Sequence, residues 1–115
     1  VGADDVILFA KPRYWDSVNF WKPWRDYAAQ PAPALILFGE RDYQITAPDR
    51  TAWETALATN PRPGAELRLL PGLNHLFLHG EGKPGPAEYG LPGELEVELL
   101  DLLGDWIQAT APATD

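Results

Sequence analysis

No cysteine and no methionine occur among the 115 residues, and serine occurs once, at Ser17. Without cysteine there is no disulfide framework, no thiolate metal site and no cysteine nucleophile. A chain that starts at Val1 and holds no methionine is expected to be a piece of a larger protein rather than an unprocessed translation product. Basic residues are scarce: nine Lys and Arg stand against 17 Asp and Glu, a net charge of −8. That balance repels phosphate backbones and anionic lipid, so nucleic acid and membrane surfaces are not expected partners. Long apolar runs are missing too. None approaches the roughly 20 residues a membrane helix needs, and no basic segment followed by an apolar one opens the chain. A cytoplasmic address is the resulting expectation. What is present is a 45% hydrophobic content, enough for the core of one small domain, with an ordinary 23% of charged residues.

The chain reads as two strand-then-helix units behind an aromatic-rich leader. Residues 3–10 suit a helical turn or two, ended by Pro12. Residues 14–27 carry Trp15, Phe20, Trp21 and Trp24, broken by Pro23, a pattern of short helices and loops packing on a body. Pro31 and Pro33 punctuate, because each disfavours helix at the residue before it. Residues 34–38, ALILF, form an apolar run without alternation, stopped by Gly39. A strand apolar on both faces is what a parallel sheet covered by helices requires. Thr46, Pro48 and Asp49 then make a helix start, and Ala52, Trp53, Ala56 and Leu57 an apolar stripe that Asn60-Pro61 ends. Residues 66–70, ELRLL, read as a second strand stopped by Pro71-Gly72.

A Gly- and Pro-rich loop over residues 73–92 follows, longer than the roughly 12–15 residues usual for connections in compact domains, and such loops are often functional. Residues 93–109 give the clearest helix. Leu95, Leu99, Leu102, Leu103 and Trp106 form its apolar face, and Glu94, Glu96 and Glu98 load its first turns in favour of the macrodipole. The expected organisation is a leader or cap segment over 1–33, a βαβα part over 34–109 and a tail over 110–115. The fold class is α/β, with two parallel strands joined by a right-handed crossover. Two parallel strands alone cannot cover both faces, so an incomplete domain with missing neighbouring strands is expected.

In open α/β sheets, catalytic groups gather beyond the carboxyl ends of the strands. Residues 39–44, GERDYQ, follow the first strand and residues 71–77, PGLNHLF, the second. Each offers one residue suited to proton chemistry, Asp42 and His75. Adjacent strands lie about 4.8 Å apart, so side chains on neighbouring exits can touch. An Asp accepting from the His Nδ1–H would hold the tautomer and leave Nε2 as a base. Taken singly, Asp42 also fits a turn or cap residue and His75 an incidental loop histidine; the pair at two successive strand ends is the stronger signal.

Residues 35–46, LILFGERDYQIT, a following Trp-bearing helix and then residues 69–77, LLPGLNHLF, resemble the C-terminal part of an α/β-hydrolase. The similarity covers residues 14–108 and is greatest to the dienelactone-hydrolase and prolyl-oligopeptidase-like group of serine hydrolases. The resemblance implies a C-terminal portion of that fold, with Asp42 as triad acid and His75 as general base. The order acid then histidine agrees with the fold's Ser…Asp/Glu…His order. It also implies an ester, lactone or short peptide substrate and no cofactor. The family's G-x-S-x-G nucleophile elbow does not occur here. Ser17, in residues 15–18 (WDSV), has neither flanking glycines nor a preceding apolar strand. The chain by itself is therefore expected to be inactive, its partner being the missing N-terminal part.

His75 and His79 have helical metal-ligand spacing but sit in a loop with Glu81 as the one obvious acidic neighbour, so no metal is expected. Gly80, Gly82 and Gly85 follow no strand-to-helix turn and make no phosphate loop. Trp15, Trp21 and Trp24 suit either a pocket wall or cover packing. Tyr43 and Gln44 read as scaffolding for the Asp42 loop. Two other functional readings stand beside the first. One is a non-catalytic assembly role, with self-association through the open sheet edge. The other is a part of an α/β-hydrolase that uses Asp as nucleophile, as in dehalogenases and epoxide hydrolases.

Overall fold

Proline opens most of the helices in the computed structural model, which describes residues 11–113. It stands at the first or second position of α1 (Pro12–Phe20), α2 (Pro23–Tyr27), α3 (Ala47–Thr59) and a 3₁₀ helix, Pro86–Gly90. At those positions its missing N–H breaks no helical hydrogen bond, and its ring presets φ. The helical turn expected over residues 3–10 lies outside the described residues.

The chain divides at the Gln30–Pro31 junction into two compact units. The first holds α1 and α2, within the aromatic stretch that reads as short helices and loops. Within it Tyr14 and Trp15 meet edge to face with ring centres 5.1 Å apart, and the Trp21 indole donates to Asp26 at 3.2 Å. Lys22 Nζ lies 5.5 Å from the centre of the Trp24 ring.

The second unit holds β1 (Ala34–Gly39), α3, β2 (Ala65–Leu70), the 3₁₀ helix and α4 (Val97–Thr110). β1 and β2 pair in parallel from Ala34↔Ala65 to Gly39↔Leu70, the arrangement the apolar runs predict. The even register brings both strands to an end at the same edge, so their exit loops start side by side. α3 begins as its sequence signals indicate, with the Asp49 carboxylate accepting the Thr46 N–H at 3.1 Å. Asn60 ends it, its N–H bonding back to Ala56 at 3.0 Å.

Two expectations are corrected. α4 starts at Val97, four residues later than Gly93: residues 91–96 are non-helical, Glu96 is extended, and Gly93 packs against the Leu78 side chain. Leu95 consequently lies outside the helix and is exposed, whereas Leu99 is buried and Leu102, Leu103 and Trp106 are half-buried. Glu98 alone remains as a first-turn acid. The segment after β2 is also not a plain loop. It contains an antiparallel bridge between Leu73 and His79 and the 3₁₀ helix.

Among the described residues of this unit, Phe38, Leu73 and Leu99 are the buried hydrophobic ones, a thin core for two strands and two long helices. Leu69, Val97, Leu100 and Ile107 remain exposed. Among the described residues no helix is long and apolar enough to cross a membrane. The Trp106 indole donates to the Gly64 carbonyl at 3.1 Å, and that glycine's carbonyl also accepts the Ala34 N–H. This one oxygen ties α4 to the entrances of both strands. Trp106→Phe removes the indole bond and is expected to cost about 1 kcal/mol or more, read as a lower urea midpoint at unchanged slope.

Candidate active site

The exit of β1 turns at once. Gly39 accepts the Asp42 N–H at 3.1 Å, Glu40 N–H bonds to Leu70 at 2.9 Å, and Arg41 N–H bonds to the Leu73 carbonyl at 2.9 Å. Glu40 also reaches across with its carboxylate to accept the Gly72 N–H at 2.9 Å. The two exit loops are thereby laced together by backbone and side chain before either Asp42 or His75 is reached. Gly39 sits where they cross: a Cβ there would meet the Asn74 carbonyl oxygen at 2.6 Å and the Leu73 carbonyl oxygen closer still.

Asp42 is held on both oxygens. Oδ1 accepts the N–H groups of Gln44 at 2.8 Å and Ile45 at 3.0 Å, a local turn that fixes the side chain's rotation. Oδ2 accepts from His75 Nδ1 at 2.8 Å across 33 residues of sequence. An ionised carboxylate can only accept, so Nδ1 is the donor in this contact, and in the neutral ring Nε2 keeps its lone pair. The Asp42 side chain is 7% exposed and that of His75 37%, so the acid is shielded while the imidazole stays accessible.

His75 owes its position to Asn74, which is 1% exposed. Asn74 Oδ1 accepts the N–H groups of Leu76 at 2.9 Å and Leu78 at 3.2 Å, and its carbonyl accepts that of Phe77 at 3.0 Å. The turn is tight enough to force Phe77 to φ +58, a left-handed conformation sparsely used by residues with a side chain. A cleft of about 380 Å³ is lined by Asp42 and His75 with Ile36, Leu37, Phe38, Trp53 and Phe77 among its walls. Successive strand side chains alternate faces, so a cleft touching three consecutive residues of β1 runs along that strand's edge.

Arg41 and Gln44, on either side of Asp42, are both engaged by the 3₁₀ helix. Arg41 Nε donates to Glu88 Oε1 at 3.1 Å, and Gln44 Nε2 donates to the Tyr89 phenol oxygen at 2.6 Å. Burial raises the Tyr89 phenol above its ordinary value, opposed by the Gln44 hydrogen bond, so it stays neutral at physiological pH. Tyr43 and Tyr89 lie with ring centres 5.8 Å apart.

The other singled-out residues are engaged elsewhere. His79 Nε2 contacts Glu96, on the extended lead into α4. Among the described residues no three His, Cys, Asp or Glu side chains gather as a metal site. Ser17 Oγ donates to the Arg13 carbonyl within α1 at 3.0 Å. Reading the sequence missed Gly39, Asn74, Glu88 and Tyr89. A glycine ending an apolar strand and an Asn ahead of a tight turn were the available signals for the first two. Glu88 and Tyr89 carry no local signal.

The chain is 31% identical over 104 residues to esterase EstD of Thermotoga maritima. The aligned part is 90% of this chain and 25% of that protein, so the chain spans about a quarter of the relative's length. No family model matches the chain, and no solved structure matches it.

Proposed function

We propose that this chain is the C-terminal part of a serine hydrolase of the α/β-hydrolase fold, of the esterase class, and supplies its acid and its base. The observation that carries the reading is the Asp42–His75 hydrogen bond at 2.8 Å between two loops leaving adjacent parallel strands. Similarity to an esterase along nearly the whole chain supports it. The cleft along β1 and the exposed apolar side chains of α4 support further strands and helices of a longer protein covering them. Segments 1–33 and 34–109 would then serve as cap and as the end of the catalytic domain.

In that protein His75 Nε2 takes the proton of a serine hydroxyl lying outside this chain as its oxygen attacks the ester carbonyl. The imidazolium formed is stabilised by Asp42 and returns the proton to the departing alcohol. Water then attacks the acyl-enzyme by the same route, releasing the acid and restoring the serine. The substrate class is an ester or lactone, with short peptides as the extension its family resemblance suggests.

Hydrolysis of p-nitrophenyl acetate tests this. In the longer protein, His75→Ala is expected to lower kcat by at least about 10³-fold. The 115-residue chain alone is expected to show no turnover above that of its own His75→Ala variant. Undiminished turnover in the His75→Ala long form would sink the base assignment, and His75-dependent turnover by the chain alone would sink the external nucleophile.

A further inference from the structure

We propose that the 3₁₀ helix Pro86–Gly90 is a clamp that positions the acid of the Asp42–His75 pair, an inference that rests on the hydrolase reading above. Its two grips straddle Asp42. Glu88 holds Arg41, the residue just before the acid, through Nε at 3.1 Å and through a terminal guanidinium nitrogen on the same oxygen. Tyr89 holds Gln44, two residues after it, at 2.6 Å. Gln44 in turn donates its backbone N–H to Asp42 Oδ1 at 2.8 Å, so the second grip reaches the carboxylate through a single residue.

The first grip is built into the fold. The Glu88 and Arg41 side chains are 6% and 15% exposed, and Arg41 also donates to the Gly82 carbonyl at 3.1 Å. Gly80 makes the room: a Cβ on it would lie 2.7 Å from Arg41 Nε and closer still to Glu88. A carboxylate this far from water is retained only with a partner, since an unpaired buried charge is strongly destabilising. Residues 80–90 therefore curl round the one guanidinium adjacent to the acid. The histidine loop is held by other means, through Asn74 and the Arg41 N–H on Leu73. The Asp42 loop thus has a grip of its own beyond the hydrogen bonds that lace the two loops together, and the 2.8 Å contact between Asp42 and His75 depends on both. Proton transfer is sensitive to displacements well under 1 Å, so Glu88 and Tyr89 act as positioning residues without touching the reacting atoms.

The test combines Tyr89→Phe, which removes one oxygen, with Glu88→Gln. In the longer protein each is expected to lower kcat for p-nitrophenyl acetate about tenfold or more with KM held within twofold, well below the unfolding temperature. In proton NMR of the 115-residue chain, the low-field His75 Nδ1 proton is expected to be visible and to weaken through faster exchange in Tyr89→Phe. Should Glu88→Gln fail to fold, Tyr89→Phe carries the test. Unchanged kcat together with an unchanged Nδ1 resonance in folded Tyr89→Phe overturns the clamp while leaving the hydrolase reading intact. If His75→Ala itself leaves turnover untouched, the hydrolase reading falls, and the Nδ1 resonance alone then decides the clamp: weakened in Tyr89→Phe it stands, unchanged it is overturned.

Discussion

Gly39→Ala is expected to destabilise the second unit by about 3 kcal/mol, the upper end for overpacking, and to separate the two loops that hold Asp42 and His75. The added methyl would meet the carbonyl oxygens of Leu73 and Asn74, which are main-chain atoms and cannot swing aside as a side-chain tip can. Relief requires the whole turn carrying His75 to shift, against the Arg41 N–H on Leu73 and the Asn74 hydrogen bonds that brace it. Urea unfolding followed by tryptophan fluorescence measures the first effect. The His75 Nδ1 proton resonance measures the second, and its loss in a still-folded variant separates displacement from unfolding. A variant with wild-type urea midpoint and resonance would show that the loops do not cross as tightly as the geometry requires.

Asp42→Asn is expected to lower kcat in the longer protein by about 10⁴, with KM little changed. Asn keeps an Oδ1 that accepts from Gln44 and Ile45, so the turn and the fold are retained. At the other terminus an NH₂ replaces a carboxylate oxygen and faces His75 Nδ1 as a donor. The imidazole then moves its proton to Nε2, the nitrogen that must accept, and no negative charge remains to stabilise the imidazolium. Asp42→Ala frees the ring without forcing the wrong tautomer, but it also leaves two backbone N–H groups without their acceptor. It should therefore lose stability as well as rate. A Asp42→Asn kcat within tenfold of the unmodified protein would remove Asp42 from the mechanism.

These two positions differ in how visibly the sequence announces them. Asp42 stands out because an acid four residues beyond an apolar run is placed by the strand itself. His75 stands out for the same reason after the second run. Gly39 looks like an ordinary stop signal, and the need for glycine there arises only when the second loop is laid across it. Glu88 and Tyr89 sit in a Gly- and Pro-rich segment whose composition suggests irregular chain. Only their contacts with Arg41 and Gln44, more than 40 residues earlier, tie that segment to the Asp42 loop. The start of α4 differs from the sequence expectation for a related reason. Glu94, Leu95 and Glu96 are acceptable helix formers, but Gly93 packs against the Leu78 side chain, and Glu96 meets His79 instead of continuing the helix.

The amino-acid sequence by itself determined the strand-helix-strand-helix order, the parallel pairing, the capped start of α3 and the presence of an Asp and a His just beyond the two strand ends. Each of these depends on local preferences: apolar runs, prolines at helix starts, glycine and asparagine at stops. The tertiary structure decided that Asp42 Oδ2 and His75 Nδ1 meet, which way the imidazole proton points, and what braces each loop. Those outcomes follow from strand register and from close approach between segments distant in the chain, which no window of neighbouring residues encodes.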